Sequence, residues 1–264
     1  KKAGADVLII EKTDLLLGCG LFGGIMRNNG RYTAAEEAIE MGGGELFEII
    51  DRTAKHVNVN FPGHNHATLY DITKIEPIVR RFLREICVEI KFMKRAVEVE
   101  MKKNIIKGII LDDGEKISGD VFIETTGSSG PMGNCLKYGN GCVMCAQKCP
   151  AFGPRVSISQ KAGVNDLIGK RSADLFGAMS GSCDINKDSL SSELQKKLDE
   201  EGVAVIKLPE SLINKEKLKM KVCQQYAINE YAENIILLDT GHIKLMSPFF
   251  NLEDLRKIKG FENV

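Results

Sequence analysis

Three cysteines, Cys142, Cys145 and Cys149, stand within eight residues in the stretch GNGCVMCAQKCPAFGPR, and Pro150 follows the last of them. Their gaps and the proline match the last two gaps of the iron–sulfur run C-x2-C-x2-C-x3-C-P. Short gaps turn successive sulfurs to one side of the chain, and Gly139 and Gly141 permit the sharp turns this needs. With Cys135, four thiolates fall within fifteen residues, a set able to ligate a [4Fe-4S] cluster or a tetrahedral zinc. The six-residue gap between Cys135 and Cys142 departs from the run, so two other readings stand beside a metal centre. Cys142 and Cys145 can cycle between dithiol and disulfide, or all four thiols can be packing groups. Cys19, Cys87, Cys183 and Cys223 are isolated in sequence and read as packing residues.

Such a loop needs a scaffold, and the composition supplies one. The chain has 264 residues, 43% of them hydrophobic, enough for one large α/β domain or two modest ones. Lys plus Arg and Asp plus Glu balance at 36 each, so no net field draws the molecule toward nucleic acid or anionic lipid. No apolar run approaches the ~20 residues that cross a bilayer, and no secretory leader is visible. The chain reads as a soluble, cytoplasmic protein whose thiols stay reduced.

A second candidate site stands near the start. ADVLIIEK predicts a buried strand, following a turn at Gly4, and Glu11 closes it. In a dinucleotide-binding unit the second strand ends in an acid that binds ribose hydroxyls, with the glycine-rich turn ~20 residues earlier, a position upstream of Lys1. The alternative for Glu11 is a solvated strand end. Residues 88–127 predict successive short strands, with a tight Asp-Gly turn in LDDGE and a continuous buried strand at Val121–Glu124. Residues 73–86 predict an amphipathic helix packed on the sheet, its Arg80, Arg81 and Arg84 face solvated. His64 and His66 alternate within FPGHNHATLYD, where a polar surface loop is expected in preference to metal ligands or an acid–base pair. In SLSSELQKKLDEEG a serine caps a helix opening near Leu190, and Gly202 ends it.

Taken together, ADVLIIEK, the glycine-rich segment, RAVEVE, the hairpin and GDVFIETTG resemble FAD-dependent oxidoreductases of the two-dinucleotide-binding-fold superfamily over most of residues 1–130. Within it, GCGLFGGIMRNNGRYTAAEEAIEMGGGELFEIID is most similar to the glucose-inhibited division protein A group, with Leu21-Phe22 replacing the group's Asn-Pro before Gly-Gly. The resemblance implies FAD as cofactor, Glu11 and Lys12 at the ribose, Val97 at the adenine through its backbone, and Thr126 and Gly127 beside the pyrophosphate. Gly23 and Gly24 would let backbone approach the cofactor, or form a plain turn.

The fold class expected is α/β: an incomplete Rossmann-like FAD-binding domain with a β-meander and an inserted α+β cap. Residues 1–150 would form the partial FAD domain without its first strand and glycine-rich turn, residues 151–250 the substrate or cap domain, and residues 251–264 a return segment. The function expected is that of a flavin-dependent oxidoreductase. Electrons would pass between FAD and a Cys-ligated metal or iron–sulfur centre, a [4Fe-4S] cluster with zinc as the alternative occupant, and a small-molecule substrate and an electron-transfer partner are expected. Arg155 is a candidate for an anionic substrate group, or a surface ion-pairing residue. A flavin-dependent tRNA-modifying protein and a zinc-stabilised non-catalytic binding module are the alternatives.

Overall fold

The apolar run Leu8-Ile9-Ile10 does form a strand. In the computed structural model, which describes residues 1–26, 30–126, 156–164, 170–172, 175–176, 183–215, 229–246 and 252–264, strand β1 spans Leu8–Glu11. It lies parallel to β5 (Glu89–Phe92), with Glu11 opposite Phe92. Between them come helices α1 (Cys19–Gly23), α2 (Gly30–Glu40) and α3 (Glu45–Arg52), strands β2 (Ile25–Met26), β3 (Ala54–Phe61) and β4 (His64–Tyr70), and helix α4 (Ile75–Glu85). The apolar stripe of α4 packs as its period requires: Ile75 and Val79 are buried, and Ile78, Phe82 and Leu83 cover the same cluster as Ile9, Ile90 and Phe92. Pro77 is tolerated because it falls in the first turn, where no intrahelical N–H bond is lost. Cys87, with φ +61°, ends the helix in the left-handed position, and the Val88 N–H returns to the Leu83 carbonyl. Arg81 and Arg84 are exposed as expected; Arg80 is not simply solvated, because it pairs with the buried Glu76.

Strands β6 (Ala96–Lys102), β7 (Ile105–Leu111) and β8 (Lys116–Ser118) form an antiparallel meander. The Asp-Gly turn sits where LDDGE places it, with Gly114 at φ +88°. The apolar run after it behaves differently. Val121 and Ile123 are 79% and 80% exposed, and residues 121–124 join no strand. Apolarity alone does not bury a strand; it needs a backbone partner at a sheet edge, and here the segment is tied instead to helix α5 (Ile158–Lys161). The Glu124 carboxylate accepts from the Ser159 N–H at 2.9 Å and from the Ser157 and Ser159 hydroxyls.

From residue 170 onward the described strands form two further sheets, the larger of which is the middle layer of a sandwich, covered on both faces. Short strands β9 (Lys170–Ser172) and β10 (Leu175–Phe176) pair with each other. A four-stranded antiparallel sheet runs β11–β14–β13–β12, formed by Cys183–Ile185, Ile243–Met246, Asn234–Asp239 and Val203–Lys207 respectively. Alternation along β13 sends Ile236 and Leu238 to one face and Ile235 and Leu237 to the other, and all four are fully buried. The first face packs against Val59, Phe61, Ala67 and Leu69 of the β2–β4–β3 sheet, together with Tyr231 and Ala232 of α7 (Asn229–Glu233). The second packs against α6 (Ser192–Glu201), α8 (Leu252–Arg256) and the closing residues Ile258 and Phe261. The serine that caps α6 is Ser191, which accepts from the Leu194 N–H, two residues beyond the expected position; Gly202 ends the helix at φ +73°. Strands of the first 70 residues thus share a core with strands beyond residue 200.

His64 and His66 open strand β4 rather than lying in a loop. His64 stacks on Phe61 at 4.6 Å, and the His66 ring lies 2.8 Å from the Asn58 side-chain oxygen. Among the described residues no group of three or more His, Cys, Asp or Glu side chains is arranged to hold a metal, and no helix is long and apolar enough to cross a membrane. Gly127, Cys135, Cys142, Cys145, Cys149, Arg155 and Cys223 lie outside the described residues.

Candidate functional site

The two parallel strands end together, and the candidate residues Glu11 and Lys12 lie at that end. The Glu11 carbonyl accepts from the Lys94 N–H at 3.1 Å, and the Thr13 carbonyl accepts from the Met93 N–H at 3.1 Å, so the residues leaving β1 and β5 are laced to each other. The Glu11 carboxylate is held from its own side. Its Oε1 accepts from the Thr13 N–H and lies near the Thr13 hydroxyl, both at 2.9 Å. The threonine two residues on therefore fixes the rotamer of the acid, in the manner of a carboxylate closing a local turn. Sequence reasoning missed Thr13; the Glu-x-Thr spacing is the signal that finds it.

Val97 lies three residues beyond Lys94, near the start of β6. The β6–β7 ladder pairs Ala96 with Leu111 and Glu98 with Ile110, so it passes over Val97. A bulge of this kind takes the extra residue out of the ladder, the condition for its backbone to address something other than β7. The same end of the sheet is stapled from outside. Arg95 and Asp112 exchange hydrogen bonds, Lys91 pairs with Glu115 at 2.9 Å, and Lys94 pairs with Asp113. The Lys94 contact holds the Asp113 carboxyl below its ordinary range. These pairs are solvent-exposed, so they orient the β7–β8 turn more than they stabilise it.

The structure therefore places Glu11 and its neighbour Lys12 at the carboxyl end of a parallel strand pair, the end at which open α/β sheets receive ligands, with Val97 in the chain that continues from β5 into β6. Gly24 stands close to Thr240. A Cβ on Gly24, at φ +65°, would stand 2.5 Å from the Thr240 side chain, and its carbonyl accepts from the Tyr70 N–H. A Cβ on Gly23 would meet nothing within 4 Å. Thr126 donates to Glu124 at 2.8 Å, at the edge of α5. Burial acts to raise the Glu124 pKa, but the Ser159, Thr126 and Ser157 hydrogen bonds outweigh it and hold the carboxyl below its ordinary range. Lys161 of α5 pairs with Glu98 at 3.1 Å, so Thr126 and the strand carrying Val97 share a neighbour.

The donor set at the end of β1 fits the adenosine half of a dinucleotide: an oriented carboxylate for vicinal hydroxyls, and a bulged backbone for the edge of a base. The family model described as "Glucose inhibited division protein A" matches residues 1–251. No curated protein matches the chain. A solved structure described as "Crystal structure of FqzB, native proteins" aligns at 17% identity with a TM-score of 0.31, covering 44% of this chain and 29% of that one, so the chain spans under a third of its length.

Proposed function

The chain belongs to the glucose inhibited division protein A family, a family of FAD-binding flavoproteins, and on that premise we propose that it is a flavin-dependent oxidoreductase whose β1 end holds the adenosine half of FAD. The observation that carries this reading is Glu11: an acid at the carboxyl end of a parallel strand, its carboxylate fixed by Thr13. When bound, FAD supplies the isoalloxazine that accepts a hydride or single electrons. Glu11 receives the ribose hydroxyls, the Val97 backbone meets the adenine edge, and Lys12, Thr126 and Gly127 complete the nucleotide contacts. In the full-length protein, Glu11→Ala weakens FAD retention by roughly 1–3 kcal/mol, the scale of hydrogen bonds to a charged group. Flavin content measured by absorbance after gel filtration checks it; unchanged content overturns the ribose role.

Beyond the flavin, the spacing of Cys135, Cys142, Cys145 and Cys149 supports a thiolate centre that exchanges electrons with it, a small-molecule substrate and an electron-transfer partner completing the cycle. Iron and sulfide measured in protein prepared without oxygen, for the wild type and Cys145→Ala, test the relay. Absence of iron and sulfide sinks it, since zinc at the same thiolates would carry no electrons. Family membership favours a second reading, flavin-dependent tRNA modification. Titration of the full-length protein with tRNA at several salt concentrations separates the two, since docking on phosphates gives a steep salt dependence.

A further inference from the structure

A buried charge stands behind the candidate site, and no part of the nucleotide reading uses it. Glu76, in the first turn of α4, has a side chain only 5% exposed. Its Oε1 accepts from the Leu16 N–H at 3.1 Å and from Arg80 through Nε at 2.9 Å and Nη2 at 2.6 Å. Arg80 reaches further: Nη2 donates to the Asp14 carbonyl at 2.5 Å, and the guanidinium lies 4.4 Å over the Phe92 ring. Phe92 is the residue opposite Glu11 in the strand pair. Asp14 and Leu16 lie three and five residues after Glu11, beyond the Thr13 that orients its carboxylate.

We infer that Glu76 and Arg80 are positioning residues for the dinucleotide site, holding the segment Asp14–Leu16 and the Phe92 ring so that the Glu11 carboxylate is set in place before the cofactor arrives. The inference rests on the reading of Glu11 as the ribose acid. Its physical ground is that a buried carboxylate needs an ionic partner and hydrogen bonds to be tolerated, and this one takes two of its three bonds from a single guanidinium. The planar fork of Arg80 can serve Glu76, a loop carbonyl and an aromatic face at once, which a lysine ammonium cannot. Glu76 and Arg80 stand at i and i+4 on α4, so one helix presents the whole clamp to the loop after β1. A ligand that finds its contacts preformed loses less free energy in ordering them.

The test uses the full-length protein and three measurements: amide exchange across residues 12–17, FAD affinity by fluorescence titration, and a double-mutant cycle with Glu11→Ala. Arg80→Met speeds exchange in that segment and weakens FAD binding about tenfold, a difference of ~1.4 kcal/mol. Arg80→Lys, which keeps the charge and protects against a variant that fails to fold, gives a smaller loss. Because Arg80 acts through Glu11, the loss caused by Glu11→Ala shrinks in the Arg80→Met background. Unchanged exchange overturns the inference, and so do losses that simply add. Normal FAD affinity in Arg80→Met while Glu11→Ala is impaired overturns it alone. Normal affinity in both variants overturns the ribose reading and the inference with it.

Discussion

The sandwich and the parallel pair are built on different terms. In the sandwich, β13 is buried along five of its six residues and covered on both faces, and its neighbours β12 and β14 satisfy its backbone on both edges. In the parallel pair all four residues of β1 are only half-buried, and the residues after it are placed by Thr13, Glu76, Arg80 and the backbone of residues 93 and 94. One region is held by packing, which tolerates no gap. The other is held by directional tethers, which fix a few groups and leave the rest accessible. Binding sites are drawn from the second kind, because a ligand cannot reach a saturated core. A buried polar link inside the sandwich shows the contrast again: Asp239, with a side chain 1% exposed, accepts from Lys55 at 2.7 Å and lies 3.2 Å from His56 Nε2, bolting β3 to β13.

The contrast is sharpest in truncation. Leu237→Ala, in the two-sided core, costs about 4 kcal/mol by the combined loss of transfer free energy and the cavity left behind. Ile10→Ala, at a half-buried position, costs about 1 kcal/mol. Equal losses in urea unfolding would remove the distinction between the regions.

Next in size, Asp239→Asn removes one charge from a buried cluster and costs about 3 kcal/mol, since it leaves Lys55 without its counter-charge. The pH dependence has a definite sign. Burial acts to raise the Asp239 pKa, but the Lys55 and His56 hydrogen bonds outweigh it, so the folded carboxyl titrates below its ordinary range. The stability it contributes is therefore present above the unfolded pKa of about 4 and lost as pH falls through the lower folded value. Melting temperature followed from neutral to acid pH declines less steeply in Asp239→Asn than in wild type. An identical acid limb would mean that other carboxyls dominate.

Gly24→Ala probes the junction between the regions. The added methyl meets Thr240 at 2.5 Å in a backbone conformation with φ +65°, and the expected cost is about 2 kcal/mol. A thermal shift of a few degrees, together with unchanged FAD affinity, assigns the glycine to packing. Loss of FAD with normal stability assigns it to the cofactor instead. The smallest effect is expected at Tyr70, whose buried hydroxyl has no well-aligned partner among the described residues. Tyr70→Phe keeps the ring and removes the desolvated group, so stability changes by less than about 1 kcal/mol or rises slightly. A large loss would reveal a bond to this hydroxyl that only the variant exposes.

Periodicity and turn chemistry made several elements legible. Leu8-Ile9-Ile10 and the acid that follows are recognisable from one local window, as is the α4 stripe of Ile75, Ile78, Val79 and Phe82. The Asp-Gly turn and the stop at Gly202 need glycine, and glycine is there. These features follow from sterics and burial within a few residues, so composition and spacing suffice. The apolar run at Val121–Ile123 defeats the same logic, because an apolar strand is indistinguishable in sequence from an apolar extended segment without a partner.

The chain's own letters determined the local elements, the identity of the acid after β1 and the cysteine spacing. Tertiary structure decided that strands from the first 70 residues share a core with strands beyond residue 200. It also decided that the bulge falls at Val97 and that Glu76 and Arg80 of α4 meet the loop after Glu11. The reason is range. A turn or a stripe is settled by neighbours a few residues apart, whereas a buried carboxylate sixty residues from the N–H it binds is tolerated only once folding has carried the two together.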